Sequence, residues 1–133
     1  MQARALDRPV VVVGVSEPDL GPLLCRLLRE AAYDTTLATD GVAVVTAVVR
    51  AAPDLLLVDL DLERLDGLLT LEIVRVISED LPVVLLSAVV SAAIQQKARH
   101  LGAVAILRKP FQNSELLDAL ARACRAENEA KGA

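Results

Sequence analysis

The sequence predicts an α/β domain, in which a five-stranded parallel sheet carries helices on both faces. Short runs rich in Val and Leu alternate with segments of helical periodicity along the chain. The run Leu55–Val58 is apolar throughout, as is typical of a central strand buried on both faces. The 133 residues are 54% hydrophobic but only 2% aromatic, so the core must consist of aliphatic side chains.

The first half of the chain predicts two strands, each followed by a helix. Ser16-Glu17-Pro18-Asp19 is a helix-capping signature, and Pro22 is tolerated because it lies near the helix start. Valines lower the propensity of the second helix, which follows a turn or cap at Thr39-Asp40-Gly41 and ends before Pro53. The predicted ranges are Val10–Val15 (β1), Asp19–Ala31 (α1), Tyr33–Ala38 (β2) and Val42–Ala51 (α2).

The second half predicts three further strand–helix pairs. Asp61–Gly67 is a polar loop, and Gly102 stands where helices commonly stop. Asn113 or Ser114 is expected to cap the last helix, and the polar tail 127–133 is expected to fray. The predicted ranges are Leu55–Leu60 (β3), Leu68–Ile77 (α3), Val83–Leu86 (β4), Ser91–Leu101 (α4), Ala103–Leu107 (β5) and Asn113 or Ser114 to about Ala126 (α5).

Composition narrows the classes of function. The net charge of −4 argues against direct nucleic-acid binding, because phosphate contacts need a basic face. No apolar run approaches the roughly 20 residues that span a membrane. Met1–Arg8 has no hydrophobic segment of a secretory signal, so the cytoplasm is the expected compartment. We expect one domain over residues 1–133, with its core from about 10 to 126.

Polar residues end three of the predicted strands. Asp59 ends β3, Ser87 follows β4 and Lys109 follows β5. Parallel strands bring these ends to one edge of the sheet, where open α/β folds place their chemistry. A carboxylate can attack a phosphoryl group, a hydroxyl can bond its oxygens and an ammonium can neutralise its charge. A divalent cation would normally complete such a site.

Five motifs, in this order and spacing, resemble the receiver domain of two-component response regulators from about Val10 to Ala126. They are Pro53-Asp54-x-x-x-x-Asp59, Asp66-Gly67, Pro82-Val83-Val84-Leu85-Leu86-Ser87-Ala88, Gly102-Ala103 and Lys109-Pro110-Phe111. The resemblance implies a flavodoxin-like sheet of strand order 2-1-3-4-5, with Asp59 as the phosphoacceptor and Ser87 and Lys109 as phosphoryl-binding groups. It also implies a cis peptide bond before Pro110, and no enzymatic activity beyond weak self-dephosphorylation.

The sequence departs from the family pattern at three places. Alignment on Glu17-Pro18-Asp19 puts Val15 and Ser16 where the family carries a magnesium-binding acidic pair. Neither is a good magnesium ligand, and Ser16 is expected to cap α1 instead. Ile106 stands at the aromatic switch position, and Glu63-Arg64 stands where Pro-Gly is common.

These departures weaken the Mg²⁺ site that the resemblance implies. Beside Asp59, a carboxylate from Glu17, Asp19 or Asp61 would have to rebuild it. Magnesium demands near-octahedral geometry, which displaced ligands rarely satisfy.

Two functional classes follow. In the first, a histidine kinase or phosphotransfer protein phosphorylates Asp59, and the α4–β5–α5 surface then changes its preference for a downstream effector or a second copy of the chain. That surface would include Ser91–Leu101, Ile106 and Asn113–Ala126. In the second, the domain is a pseudo-receiver that binds a protein partner without phosphorylation. An enzyme of related fold is disfavoured, because Gly14-Val15-Ser16 lacks the further glycines of a phosphate-binding loop.

Overall fold

Five parallel strands alternate with five helices in the computed structural model, which describes the backbone of residues 8–132 and the side chains of residues 8–125. The strand order is β2-β1-β3-β4-β5, as the resemblance implied. The strands are β1 Val10–Gly14, β2 Asp34–Ala38, β3 Leu55–Asp59, β4 Val83–Ser87 and β5 Ala105–Arg108. The helices are α1 Leu20–Glu30, α2 Gly41–Ala51, α3 Gly67–Ile77, α4 Ala92–His100 and α5 Asn113–Gly132.

Alternate side chains of the central strands enter two separate apolar clusters. On one face of the sheet, α1 and α5 cover Val11, Val13, Leu55 and Leu57. On the other face, α2, α3 and α4 cover residues of the opposite parity, including Leu56. Every residue of β3 and β4 is buried, which is why these strands have uninterrupted apolar runs. Burial on both faces fixes the register, since a shift of one residue would exchange the two faces.

The largest departures from the predicted bounds occur in the last third of the chain. β5 begins at Ala105 rather than Ala103. α5 runs to Gly132 instead of ending at about Ala126, so the backbone of the predicted tail is helical as far as that residue. Neither Asn113 nor Ser114 precedes α5 as its cap; the Glu115 carboxylate instead accepts from the Gln112 N–H (2.8 Å). The prediction that Met1–Arg8 contains no secretory signal concerns residues 1–7, which lie outside the described part of the chain.

Asp66 and Gly67 attach the start of α3 closely to the end of β3. The Asp66 carboxylate caps α3 by accepting from the Leu69 N–H (2.9 Å), so this pair begins a helix. A Cβ atom on Gly67 would lie 2.5 Å from both the carbonyl oxygen of Asp59 and the Cα atom of Leu60. Only glycine permits this approach, so the sequence Asp66-Gly67 sets the distance between α3 and the Asp59 backbone.

Arg75 of α3 binds carbonyl groups at the amino edge of the sheet, the edge at which the strands begin. Its guanidinium donates to the carbonyls of Leu101 (2.7 Å), Leu81 (2.6 Å) and Gly102 (3.1 Å). Longer bonds reach two carbonyls in the loop that follows α3. One side chain therefore joins the end of α3, the approach to β4 and the end of α4; we refer to it as the Arg75 clamp.

Helix α4 is attached less extensively than the other helices of its face. Ala98 is its one buried residue, although Ser91 caps its first turn by accepting from the Ile94 N–H (3.1 Å). Among the described residues, no helix is both long enough and apolar enough to cross a membrane.

Candidate functional site

Asp59, Ser87 and Lys109 lie together at the carboxyl edge, the edge of the sheet at which the strands end. Asp59 is the last residue of β3 and pairs in register with Leu86 of the neighbouring β4. Ser87 is the next residue of β4, and its carbonyl accepts from the Lys109 N–H (2.8 Å). The parallel sheet thus brings the three predicted residues to one place.

Three carboxylates surround the Lys109 ammonium. Its Nζ atom lies 2.7 Å from Oδ2 of Asp59, 3.0 Å from Oε1 of Glu17 and 3.7 Å from Oδ2 of Asp61. We call these four residues the Lys109 cluster. Asp59 is 2% exposed, whereas the side chains of Glu17 and Asp61 are 59% and 63% exposed. The other oxygen of Asp59, Oδ1, accepts from the Asp61 N–H (3.0 Å), so both oxygens of the buried carboxylate are bonded.

The electrostatics of the Lys109 cluster favour the charged ammonium. Burial alone would lower the pKa of Lys109, because it penalises the cation. The hydrogen bonds to Asp59 and Glu17, together with their negative charges, outweigh burial and raise the pKa above its ordinary value of 10.5. Lys109 therefore carries a full positive charge at neutral pH.

The residues at the end of β1 do not fit a magnesium ion. Val15 is fully buried in the apolar cluster beneath α1 and α5, so no side-chain oxygen lies where the family has its first acidic residue. No group of three or more potential ligands among the described residues is arranged to hold a metal. Glu17 and Asp61, two of the three candidates for rebuilding the site, contact Lys109.

Ser16 connects loops at the carboxyl edge, and the prediction that it caps α1 was wrong. Asp19 occupies the cap position of α1, without a side-chain bond to it. The Ser16 hydroxyl donates to the Thr39 carbonyl (2.7 Å) and accepts from the Glu63 N–H (2.9 Å). These bonds join the loops that follow β1, β2 and β3.

Ser87 is buried, and its hydroxyl bonds to its own loop. It donates to the Val89 carbonyl (2.5 Å) and accepts from the Val89 N–H (3.2 Å). This is the local pattern that Ser commonly adopts where a strand ends. The structure therefore places Ser87 beside Asp59 in the sheet, with its hydroxyl engaged elsewhere.

The other predicted positions surround this centre. The Lys109–Pro110 peptide bond is cis, which is the geometry that the resemblance implied. Ile106 is partly buried and packs against the cluster beneath α2, α3 and α4. Arg64 has a left-handed φ of 68° where the family commonly has glycine, and its guanidinium contacts Asp40 (3.1 Å), whose other oxygen caps α2.

A cleft of about 760 Å³ opens beside Lys109, between α1 and the loop that joins β5 to α5. On the α1 side its lining combines leucines, among them Leu23 at 61% exposure, with the charged residues Arg26 and Glu30, and Phe111 lines the loop side. Glu17 and Asp61 border it at the end near the Lys109 cluster. The cleft therefore places both apolar and charged side chains beside the Lys109 cluster.

Sequence reasoning missed four contacts at or near this edge. The two bonds of Ser16 and the ion pair of Arg64 with Asp40 join loops that lie more than 20 residues apart. The approach of Glu17 to Lys109 spans 92 residues. Only the acidic character of Glu17-Pro18-Asp19 hinted at an electrostatic role for that loop.

Comparison with known proteins agrees with this geometry. The family model that describes the response regulator receiver domain matches residues 16–121 of the chain. The chain is 32% identical to the transcriptional regulatory protein BaeR of Escherichia coli O6:H1 over 126 residues, which cover 92% of this chain and 52% of BaeR. It is 31% identical to sporulation initiation phosphotransferase F of Bacillus subtilis over 98 residues, which cover 74% and 79% of the two chains.

Solved structures agree as well. The receiver domain of the Francisella response regulator 1452 superimposes with a TM-score of 0.82 at 26% identity, covering 92% of this chain and 99% of that one. The chain spans about half the length of BaeR, so similarity to it concerns the receiver portion alone. The strand order, the polar residues at the carboxyl edge and these matches lead to one conclusion. The chain belongs to the family of response regulator receiver domains.

Proposed function

We propose that the domain accepts a phosphoryl group on Asp59 from a phosphohistidine of a histidine kinase or phosphotransfer protein. The observation that carries this proposal is the 2.7 Å contact between Asp59 and Lys109 at the carboxyl edge. The contact supports the proposal because a carboxylate can act as the nucleophile toward a phosphoryl group and an adjacent ammonium can neutralise the charge of that group.

In the proposed step an oxygen of Asp59 forms a bond to phosphorus while the bond from phosphorus to the donor imidazole breaks. The imidazole nitrogen keeps the electron pair of that bond and takes a proton. Lys109 balances the charge of the transferred group, and the Ser87 hydroxyl turns from Val89 to donate to a phosphoryl oxygen. The donor approaches through the cleft beside α1, whose leucines, together with Arg26 and Glu30, suit an amphipathic partner helix.

The signal then passes through the α4–β5–α5 surface to a downstream effector, in the same polypeptide or in another. Two observations support this route. Helix α4 buries only Ala98, and Ile106 packs against the apolar cluster beneath α2, α3 and α4. Weak attachment makes α4 the helix whose position costs least to change. A homodimer through this surface is part of the same proposal.

The test is the intact mass of the protein after incubation with acetyl phosphate, in magnesium and separately in EDTA. We expect one phosphoryl adduct on the wild type and on Asp118→Asn, an exposed carboxylate of α5 that serves as the matched control. We expect no adduct on Asp59→Asn. Absence of the adduct from the wild type, with acetyl phosphate and with phosphoramidate, would contradict the proposal.

A second function is favoured by one specific observation, the complete burial of Val15 at the position of the family's first acidic residue. In it the domain is a pseudo-receiver, which binds its protein partner with Asp59 permanently paired to Lys109. Its test is partner binding that is equal for the wild type and Asp59→Asn. The mass measurement separates the two functions, because only the first requires an adduct.

A further inference from the structure

The carboxyl edge already holds a cation of its own. The Lys109 ammonium is in contact with Asp59 and Glu17 and lies 3.7 Å from Asp61, and its side chain is 15% exposed. A lysine held by carboxylates in this way supplies the positive charge that a divalent ion would otherwise supply. We infer that the Lys109 ammonium replaces a divalent metal at this edge, and that Glu17 and Asp61 are positioning residues that hold it on Asp59.

The charges support this replacement. Asp59 is the one buried carboxylate of the Lys109 cluster, and it faces one ammonium at 2.7 Å. Glu17 and Asp61 are more than half exposed, so water offsets more of their charge than of the charge on the buried Asp59. The buried part of the cluster is therefore neutral without a further cation, and a second positive ion would meet repulsion from Lys109 at close range.

The loops support it independently. A metal at this edge would join loops by binding oxygens from several of them. Here the Ser16 hydroxyl joins the loops after β1, β2 and β3 through its bonds to Thr39 and Glu63. Val15, fully buried among apolar side chains, supplies no side-chain oxygen. Both tasks of the ion, neutralising charge and joining loops, are thus performed by side chains.

The experiment measures the thermal unfolding of the unphosphorylated protein as MgCl₂ or CaCl₂ replaces NaCl at constant ionic strength. The variants are the wild type, Lys109→Met, Glu17→Gln/Lys109→Met and Lys97→Met. Lys97 is the matched control, since it is a half-exposed lysine of α4 that pairs with Glu72 at 3.7 Å, away from the site.

We expect the Tm of the wild type and of Lys97→Met to be insensitive to either ion. Lys109→Met removes the ammonium and leaves three carboxylates, so its Tm should fall and then rise saturably with the divalent ion. Calcium should raise it more than magnesium, because calcium tolerates irregular oxygen geometry. Glu17→Gln in that background should reduce the rise.

A saturable rise in the Tm of the wild type with magnesium, as large as that of Lys109→Met, would overturn the inference. So would a folded Lys109→Met that responds to neither ion. If Lys109→Met does not fold, calorimetric titration of the wild type with magnesium decides, and saturable binding at millimolar concentrations overturns the inference.

The inference uses the same side chains as the proposed function but does not depend on phosphorylation. An adduct on Asp59 that forms in magnesium and not in EDTA would leave the phosphoacceptor in place and overturn the metal replacement. An adduct of equal yield in EDTA would support both. Failure to form any adduct would remove the phosphoacceptor alone, because the unfolding measurements contain no phosphoryl donor.

Discussion

Replacing Gly67 by alanine should disturb the backbone of Asp59 without touching its side chain. The new Cβ atom would lie 2.5 Å from the Asp59 carbonyl oxygen and from the Leu60 Cα atom. Ordinary contacts begin at 3.4 Å, so α3 and the end of β3 must separate by most of an ångström. The atoms that the new Cβ would meet all belong to the backbone, so rotation of a side chain cannot relieve the contact.

The expected cost follows from that geometry. Overpacking of a close-packed contact costs about 1–3 kcal/mol. Alanine recovers up to about 1 kcal/mol through its helix propensity, and less than that in a first helical turn. We therefore expect Gly67→Ala to lower the free energy of unfolding by about 1–2 kcal/mol.

Gly21→Ala is the matched control, since Gly21 also lies in the first turn of a helix and is also buried. Its nearest foreign atom would be Cδ1 of Leu37 at 2.9 Å, the end of a flexible side chain that is 37% exposed. Rotation of Leu37 relieves this contact, so the stability should change by no more than about 0.5 kcal/mol.

Urea unfolding followed by circular dichroism measures both variants, and the yield of the Asp59 adduct provides a second readout. Gly67→Ala should be the less stable variant and should also form the adduct more slowly. Equal stability of the two variants would refute the reasoning that a tight backbone contact sets the position of α3.

Two further predictions concern charged side chains. Arg75→Met should lower the free energy of unfolding by about 2–4 kcal/mol, since hydrogen bonds from a charged group contribute about 1.5–3 kcal/mol each and water can replace part of them. Urea unfolding should show almost no change in stability for the control Arg99→Met, whose side chain is exposed. An equal loss of stability in the two variants would contradict the stabilising role of the Arg75 clamp. The pKa of Lys109 is raised, so the folded state binds its proton more tightly and the contribution of Lys109 is complete below about pH 10.5. The stability difference between the wild type and Lys109→Met should therefore shrink as the pH rises above 10.5, and a difference that stays constant to higher pH would refute the ion pair.

The fold could be predicted because local patterns suffice for it. The unbroken apolar run of β3 indicates a strand covered on both faces, and such strands place Asp59, Ser87 and Lys109 at one edge whatever the loops do. The start of β5 was placed two residues too early because Ala103 and Val104 are apolar yet precede the paired segment.

The contacts of the candidate site were less accessible to prediction. Ser16 has a sequence context that favours a helix cap, but its hydroxyl bonds to two loops that are distant in sequence. Glu17 meets Lys109 only because α1 and the loop after β5 leave the sheet on the same side. Such contacts depend on loop paths and rotamers, which composition and periodicity do not encode.

The Arg75 clamp holds one end of α4, the C-terminal end. Its guanidinium holds the carbonyls of Leu101 and Gly102, just beyond the last turn of the helix. The first turn, which follows Ser91, has no comparable attachment among the described residues. At 1.5 Å per residue, α4 is about 13 Å long, so a tilt of about 10° about the clamp moves its first turn by about 2 Å. A displacement that begins near Ser87 is therefore largest at the start of α4 and vanishes at the opposite edge of the sheet.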